Sequence, residues 1–443
     1  DLFNAGLGHD WALIGAGVRA GDAKMRAALE GQDWLTTVIE LAPAGHSARV
    51  TGAMTGFVPV EPGNPSLIAA MSDPGIRIVS LTVTEGGYYI DPKTGTFSPD
   101  HPDIVKDAAN PGAPDTAFGA IIAALKARRA AGVKAFTVMC CDNVPHNGHV
   151  TKDAVVGLAR LSVPDFADWI AANVAFPNSM VDRITPATGD RERAMAAGMG
   201  VDDAWPVTCE PFRQWVMEDN FPAGRPPLEK VGVTFTDQVD RFETMKIRIL
   251  NGGHAIIAYP GGLMDVEFVH EAMQNPLIRS FLDAVESREV LPIVPAVPGV
   301  SLGEYKSLII ERFSNPDVAD TVRRLCLDGS NRQPKFIVPS IRDNRAKGVV
   351  PDGLILLSAL WCRYCYGTSE SGAVIAPNDP NWDRLTERAK AAKADPAEWL
   401  AMTEVYGDLR LDRAVADRFA AMLGAVWAEG CRPVMQRYID GGR

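Results

Sequence analysis

A chain of 443 residues, 47% of them hydrophobic, has room for two or three domains with cores of their own. Its 44 basic and 55 acidic side chains leave a net charge of −11 and no basic run stands out, which argues against a nucleic-acid partner. No stretch of about 18 or more apolar residues occurs, so no helical membrane span is expected.

The predicted elements begin with a strand at 11–17, a helix at 23–31 and a strand at 36–42. A strand at 77–83, a helix at 115–132, a strand at 136–141 and a helix at 151–161 follow. The run at 231–237 is the last clear strand pattern. Strands alternating with helices imply a largely parallel sheet covered on both faces. After residue 238 the period changes: 267–288, 302–314, 318–330 and 413–430 all repeat at helical spacing. Pro292, Pro295 and Pro298 punctuate one long loop between them. The expectation is an α/β Rossmann-type parallel-sheet domain over 1–237 and a mainly α-helical domain over 238–443.

The second domain opens with FETMKIRILNGGHAII, residues 242–257. Read as an α-helix at about 100° per residue, Lys246, Asn251 and His254 fall within roughly 140° of one face. Asn251 and His254, three apart, are direct neighbours. An amine, an amide and an imidazole beside Ile249, Leu250 and Ile256 suggest a polar site in an apolar helix. A buried lysine can take a proton from an alcohol, and an amide can hold the alkoxide that forms. The alternative is an amphipathic helix with a snorkelling lysine and two satisfied polar groups.

The spacing Lys-x4-Asn-x2-His resembles the signature of the polyol-specific long-chain dehydrogenases. Six further stretches agree, in fixed order: 80–89, 136–148, 176–186, 202–212, 311–316 and 325–336. The likeness spans nearly the whole chain and is strongest to the mannitol dehydrogenase branch. It implies an NAD-dependent, metal-independent oxidoreductase that interconverts a hexitol and a 2-ketose, mannitol and fructose first. Sorbitol, arabinitol or a uronate such as fructuronate are the alternative substrates under the same chemistry. The family makes Lys246 the general acid/base, and Asn143 and Asn251 the donors to the reacting oxygen. His254 would orient the substrate and Glu85 would relay the proton to solvent. Asp182 would be a further active-site carboxylate, and Arg324 and Arg332 would bind substrate hydroxyls. The second of these basic positions is a lysine in the mannitol enzyme, and arginine is not its equivalent.

Residues 15–21, GAGVRAG, look like a dinucleotide fingerprint but carry Ala20 at the third glycine position. The resemblance places this stretch after the second strand of the fold and the true glycine-rich loop upstream of residue 1. Asp22 then stands where a carboxylate accepts both adenosine ribose hydroxyls and repels the extra phosphate of NADP. It could equally cap the following helix, and Arg19 could greet a 2′-phosphate. Asn147-Gly148 reads as a turn dipeptide.

Seven cysteines in so long a chain make no disulfide framework, and no secretory signal is evident, so a cytoplasmic protein is expected. The Cys362-x-x-Cys365 pair lies in a pattern of buried helix and reads as core. His146 and His149 near Cys141 only faintly resemble a zinc cluster, and no metal is expected. A nucleotide-binding sensor on a retired dehydrogenase scaffold is the non-enzymatic alternative; the intact Lys246, Asn143, Asn251 and His254 argue against it. Nothing in the pattern defines an assembly beyond a monomer or small oligomer.

Overall fold

The structure, a computed structural model, describes residues 1–91 and 94–441 and divides into two compact units, Asp1–Asp240 and Arg241–Arg443. In the first unit, strands β1 (Leu13–Ala16), β2 (Thr36–Ala42), β3 (Gly45–Thr51), β4 (Met54–Val58) and β5 (Ile78–Leu81) precede β6 (Thr137–Cys140). Four short strands follow: β7 (Ser179–Asp182), β8 (Val207–Cys209), β9 (Gln214–Met217) and β10 (Thr234–Phe235). Parallel pairing joins β1 to β4, β5 to β6, β2 to β8 and β9 to β10. Between these named strands, antiparallel pairing joins β2 to β3 and β7 to β9.

The largely parallel arrangement agrees with the alternation in the sequence, but five strands escape it. β3, GHSARVT, is polar and mostly exposed, because it is a hairpin arm with one solvated side. β4 carries Gly56 mid-strand and has no clear alternation. β7, β8 and β9 are three or four residues long, too short for a period to register. Conversely, 231–237 is mostly not strand: only Thr234–Phe235 pairs, and Leu228–Val231 is a 3-10 turn.

β6 is buried along its whole length, as a strand covered on both faces must be. The helices Ala117–Ala130 and Asn147–Ser162 pack over it through Phe118, Ile121, Leu125, Val155 and Leu158, with Phe136 and Val138 beneath them. Thr116 caps the first of these helices by accepting from the Gly119 N–H, and Asp107 accepts from the Thr116 N–H and hydroxyl.

The second unit is helical; its strand pairing among the described residues is limited to the single bridges Phe268–Thr321 and Thr368–Val374. The helix Gly252–Leu263 is buried on nearly every side. It has glycines where neighbours come closest: a Cβ on Gly262 would lie 2.6 Å from the Tyr364 ring, and one on Gly261 3.1 Å from Val322. The helix Asp352–Cys365 is the other buried axis, with Trp361 edge-on to Trp399 at 4.8 Å. Cys362 and Cys365 lie inside it, buried and free, and burial pushes both thiols well above their ordinary range. A thiol that stays protonated is an inert packing group. No helix is long and apolar enough to cross a membrane among the described residues.

Candidate active site

Lys246–Asn251 is a π-turn, inserted between the helix Val239–Met245 and the helix Gly252–Leu263. The even α-helical spacing expected for this segment is therefore corrected. In a π-turn each N–H reaches back five residues, as the Gly252 N–H does to the Ile247 carbonyl. Residues five apart then sit one above the other, as residues four apart do in an α-helix. That brings Lys246 and Asn251 closer to one face than α geometry allows. α-Helical geometry resumes at Gly252, so Asn251 and His254 remain neighbours one turn apart. Lys246 is buried at 4% exposure. Arg248, on the same turn, is bound to the Ser340 hydroxyl at 2.7 Å and to Asp343 at 2.8 Å, which pins the segment to the helix Val338–Ala346.

Gly253 is closely enclosed by two side chains. A Cβ there would fall 2.8 Å from Glu286 Oε1 and 3.3 Å from the Phe313 ring. Gly253→Ala is expected to lower stability by about 1–3 kcal/mol, the usual cost of overpacking. It should also lower kcat, because the displaced turn carries Asn251 and His254. A thermal melt and a kcat measurement check this; an unchanged pair would mean that Glu286 and Phe313 yield without moving the turn.

The His254 ring stacks on Phe313, centroids 4.3 Å apart and planes 20° apart. Burial, and then the charges of Arg324, Arg312, Arg332 and Lys246, hold its pKa well below 6.5, so the ring is neutral at physiological pH. All four side chains thus lie within electrostatic reach of this one imidazole. Its Nε2 is buried and has no hydrogen-bond partner among the described residues. An unmet buried polar atom costs about 1–3 kcal/mol, and a hydrogen bond from a bound ligand is one way to relieve that cost.

Arg324 is held by Asp320 through two hydrogen bonds, Nε at 2.5 Å and the second from Nη2. That grip raises its pKa further. Arg332 donates to the Leu325 carbonyl at 3.2 Å and the Arg324 carbonyl at 3.4 Å, at the end of the short helix Val322–Leu325. A cation there suits the helix C-terminus. Both arginines therefore have structural partners as well as a place beside His254. Arg312, buried at 7% exposure, is a third cation that the sequence reading passed over. Its stretch, 311–316, was among the matching motifs, but nothing in the spacing pointed to the arginine.

In the first unit, Asn143 and Glu85 are exposed and follow the C-terminal ends of the paired parallel strands β6 and β5. Ligands of α/β sheets bind at that end. Asp142, also missed from sequence, joins the two loops: its carboxylate accepts from the Val83 N–H at 2.9 Å, the Thr84 N–H at 3.2 Å and the Tyr88 hydroxyl at 2.7 Å. Thr84 is held at φ 66°, ψ 165°, a region essentially reserved for glycine. Such a residue costs on the order of 1–3 kcal/mol and persists only where its surroundings enforce it. Asn147 is no turn residue: buried at 1% exposure, it donates to the Asp142 carbonyl at 3.2 Å and accepts from the Ser179 N–H at 2.8 Å. Gly148 passes so near Phe176 that a Cβ would lie 2.5 Å from its carbonyl oxygen.

Asp182 ends β7, buried at 6% exposure. Its neighbour Arg183 binds Glu40 at 3.0 Å and the Glu210 carbonyl at 3.0 Å. Asp22 is the first residue of the helix Asp22–Glu30, not its cap: Gly21 occupies that position. Asp22 Oδ2 instead reaches back to the Val18 N–H at 3.1 Å and the Arg19 N–H at 3.0 Å, closing the turn after β1. Gly17 makes room for it, since a Cβ there would meet the Asp22 Cβ at 2.4 Å. Arg19 donates to the Val83 carbonyl at 3.2 Å. No group of three or more His, Cys, Asp or Glu able to hold a metal occurs among the described residues. The His146 and His149 rings lie 6.3 Å apart, and burial raises the Cys141 thiol to about 12.

Family models cover almost all of this chain: the mannitol dehydrogenase Rossmann domain matches residues 4–230 and the mannitol dehydrogenase C-terminal domain residues 238–427. A mannitol 2-dehydrogenase of Cereibacter sphaeroides is 67% identical over 439 residues, 99% of this chain and 92% of that protein. The mannitol 2-dehydrogenase of Aspergillus oryzae is 41% identical over 97% of this chain and 87% of its own length. Among solved structures, the Pseudomonas fluorescens mannitol 2-dehydrogenase ternary complex with NAD and D-mannitol superposes with a TM-score of 0.87 at 42% identity, covering 99% of this chain and 90% of that one. A substrate-free D-sorbitol dehydrogenase gives a TM-score of 0.88 at 33% identity, covering 97% and 89%.

Proposed function

This chain belongs to the mannitol dehydrogenase family of oxidoreductases, and on that premise we propose that it interconverts D-mannitol and D-fructose with NAD. The observation that carries the reading is the unpaired Nε2 of a neutral His254, buried next to Asn251 and within the field of Lys246. A substrate hydroxyl supplies the bond that this nitrogen lacks.

NAD, when bound, supplies the hydride acceptor. The turn after β1 fits its adenosine end. Gly17 has no room for a side chain and Asp22 Oδ2 is committed to the turn, so the ribose hydroxyls fall to Asp22 Oδ1. Lys246, neutral, takes the proton from the hydroxyl being oxidised, and burial at 4% exposure disfavours its charged form. Asn143 and Asn251 donate to the same oxygen as its negative charge grows. His254 orients the substrate, Glu85 passes the proton to solvent, and Asp182, Arg324 and Arg332 bind the remaining hydroxyls. No metal is required in this scheme, because Lys246 removes the proton and the two amides stabilise the charge left on the oxygen. The free cysteines suit a reducing cytoplasm.

NADH oxidation measured across a panel of ketoses tests the reading. Fructose should give the highest kcat/KM. A preference for sorbose, or for sorbitol over mannitol in the reverse direction, would favour a second reading that the D-sorbitol dehydrogenase likeness supports. Absence of turnover with every ketose would overturn both.

The same assay settles the cofactor. The Asp22 carboxylate accepts ribose hydroxyls and repels a 2′-phosphate, so NAD(H) should be preferred over NADP(H). A ratio of specificity constants near one, or in favour of NADP(H), would mean that Arg19 governs the site.

A further inference from the structure

We propose that Asp142 is a positioning residue that holds the Glu85 turn in its working conformation. The inference rests on the reading of Glu85 as the proton relay. The ladder between β5 and β6 ends with the Cys141 N–H on the Leu81 carbonyl at 2.9 Å. Beyond it the Val83 and Thr84 N–H groups have no strand partner, and the Asp142 carboxylate accepts from both. The chain then turns through Glu85–Tyr88, and the Tyr88 hydroxyl comes back to the same carboxylate at 2.7 Å. Asp142 thus grips the turn before and after Glu85, the residue that follows Thr84 and its glycine-like backbone.

The grip is itself anchored. Tyr88 is fully buried and its hydroxyl is held against Cys140 Sγ at 2.8 Å. Desolvation and the neighbouring Cys140 and Asp142 push the Tyr88 pKa upward, so the phenol remains a donor. Asn147 holds the Asp142 main chain from the other side. Only a carboxylate serves here: all three partners donate, and both oxygens must accept. An amide in its place would face one of the two backbone N–H groups with its own NH2.

Asp142→Asn therefore tests the role. We expect kcat to fall by about 10- to 100-fold, the loss typical of a misplaced catalytic group, with little change in the NADH dissociation constant. The pH profile of kcat should take the form seen for Glu85→Gln. In the Glu85→Gln background, Asp142→Asn should cost less than about twofold further, because both changes disable one relay. Tyr88→Phe removes one bond and leaves the backbone pair. It should give a smaller loss in the same direction, and it keeps the test open if Asp142→Asn folds poorly. Impaired Glu85→Gln together with normal kcat in Asp142→Asn and Tyr88→Phe would overturn the positioning role, as would losses that multiply. Normal kcat in Glu85→Gln would overturn the relay reading itself, and the inference with it.

Discussion

Lys246→Ala is expected to lower kcat by on the order of 10²- to 10⁴-fold, the range for losing a general acid/base, while NADH binds as before. The side chain is buried, on the π-turn, and within the field of His254. Among the described residues it is the one amine that meets both conditions for a proton acceptor: shelter from water and proximity to the imidazole. The two directions should answer pH oppositely. Polyol oxidation needs Lys246 neutral, so it rises with pH through the lysine pKa; ketose reduction needs it protonated and falls over the same range. The imidazole should contribute no inflection near 6.5, because burial and the surrounding cations hold His254 neutral above that value. Measurements of kcat against pH in both directions and an NADH dissociation constant decide the matter. Near-wild-type turnover in Lys246→Ala would move the base to Glu85 or His254.

The second large effect concerns the donors to the reacting oxygen. Asn143→Ala and Asn251→Ala should each reduce kcat by roughly a hundredfold or more, since one such donor is worth about 3 kcal/mol where it has been removed. NADH affinity should change far less. The double variant should fall short of the product of the single losses, because in the proposed scheme the two amides serve one atom. The two residues differ in setting: Asn143 is exposed on a loop, whereas Asn251 closes the π-turn. Asn143→Ala should leave the thermal midpoint nearly unchanged, so its kcat reads function directly. Normal kcat in either single variant with an intact fold would reduce that residue to a loop or helix amide.

The residues proposed for chemistry were legible because several motifs keep a fixed order, and because a polar triad in apolar text is conspicuous. Lys246, Asn251 and His254 stand among Ile249, Leu250 and Ile256, and the change of period near residue 238 marks a mainly helical unit. Asp142 was invisible beside Asn143, since an aspartate before an asparagine reads as loop; its meaning lies in Val83, Thr84 and Tyr88, more than fifty residues earlier. Arg312 was hidden for a related reason. One arginine in an amphipathic helix is ordinary until burial is known.

Sequence alone determined the class of each unit, the apolar axis of the second and the identity of the polar groups, because periodicity and residue chemistry are local properties. Tertiary structure decided the geometry. The π-turn is not written in any residue preference: Lys-Ile-Arg-Ile-Leu-Asn is acceptable α-helix. It sits where Arg248 is held by Ser340 and Asp343, and where Gly253 lets Glu286 and Phe313 close in. The same holds for Asp22, which in sequence could cap its helix and in the folded chain closes the turn before it. A hydrogen bond or a close contact between distant residues depends on where the backbone has gone, and that is settled only when the core packs.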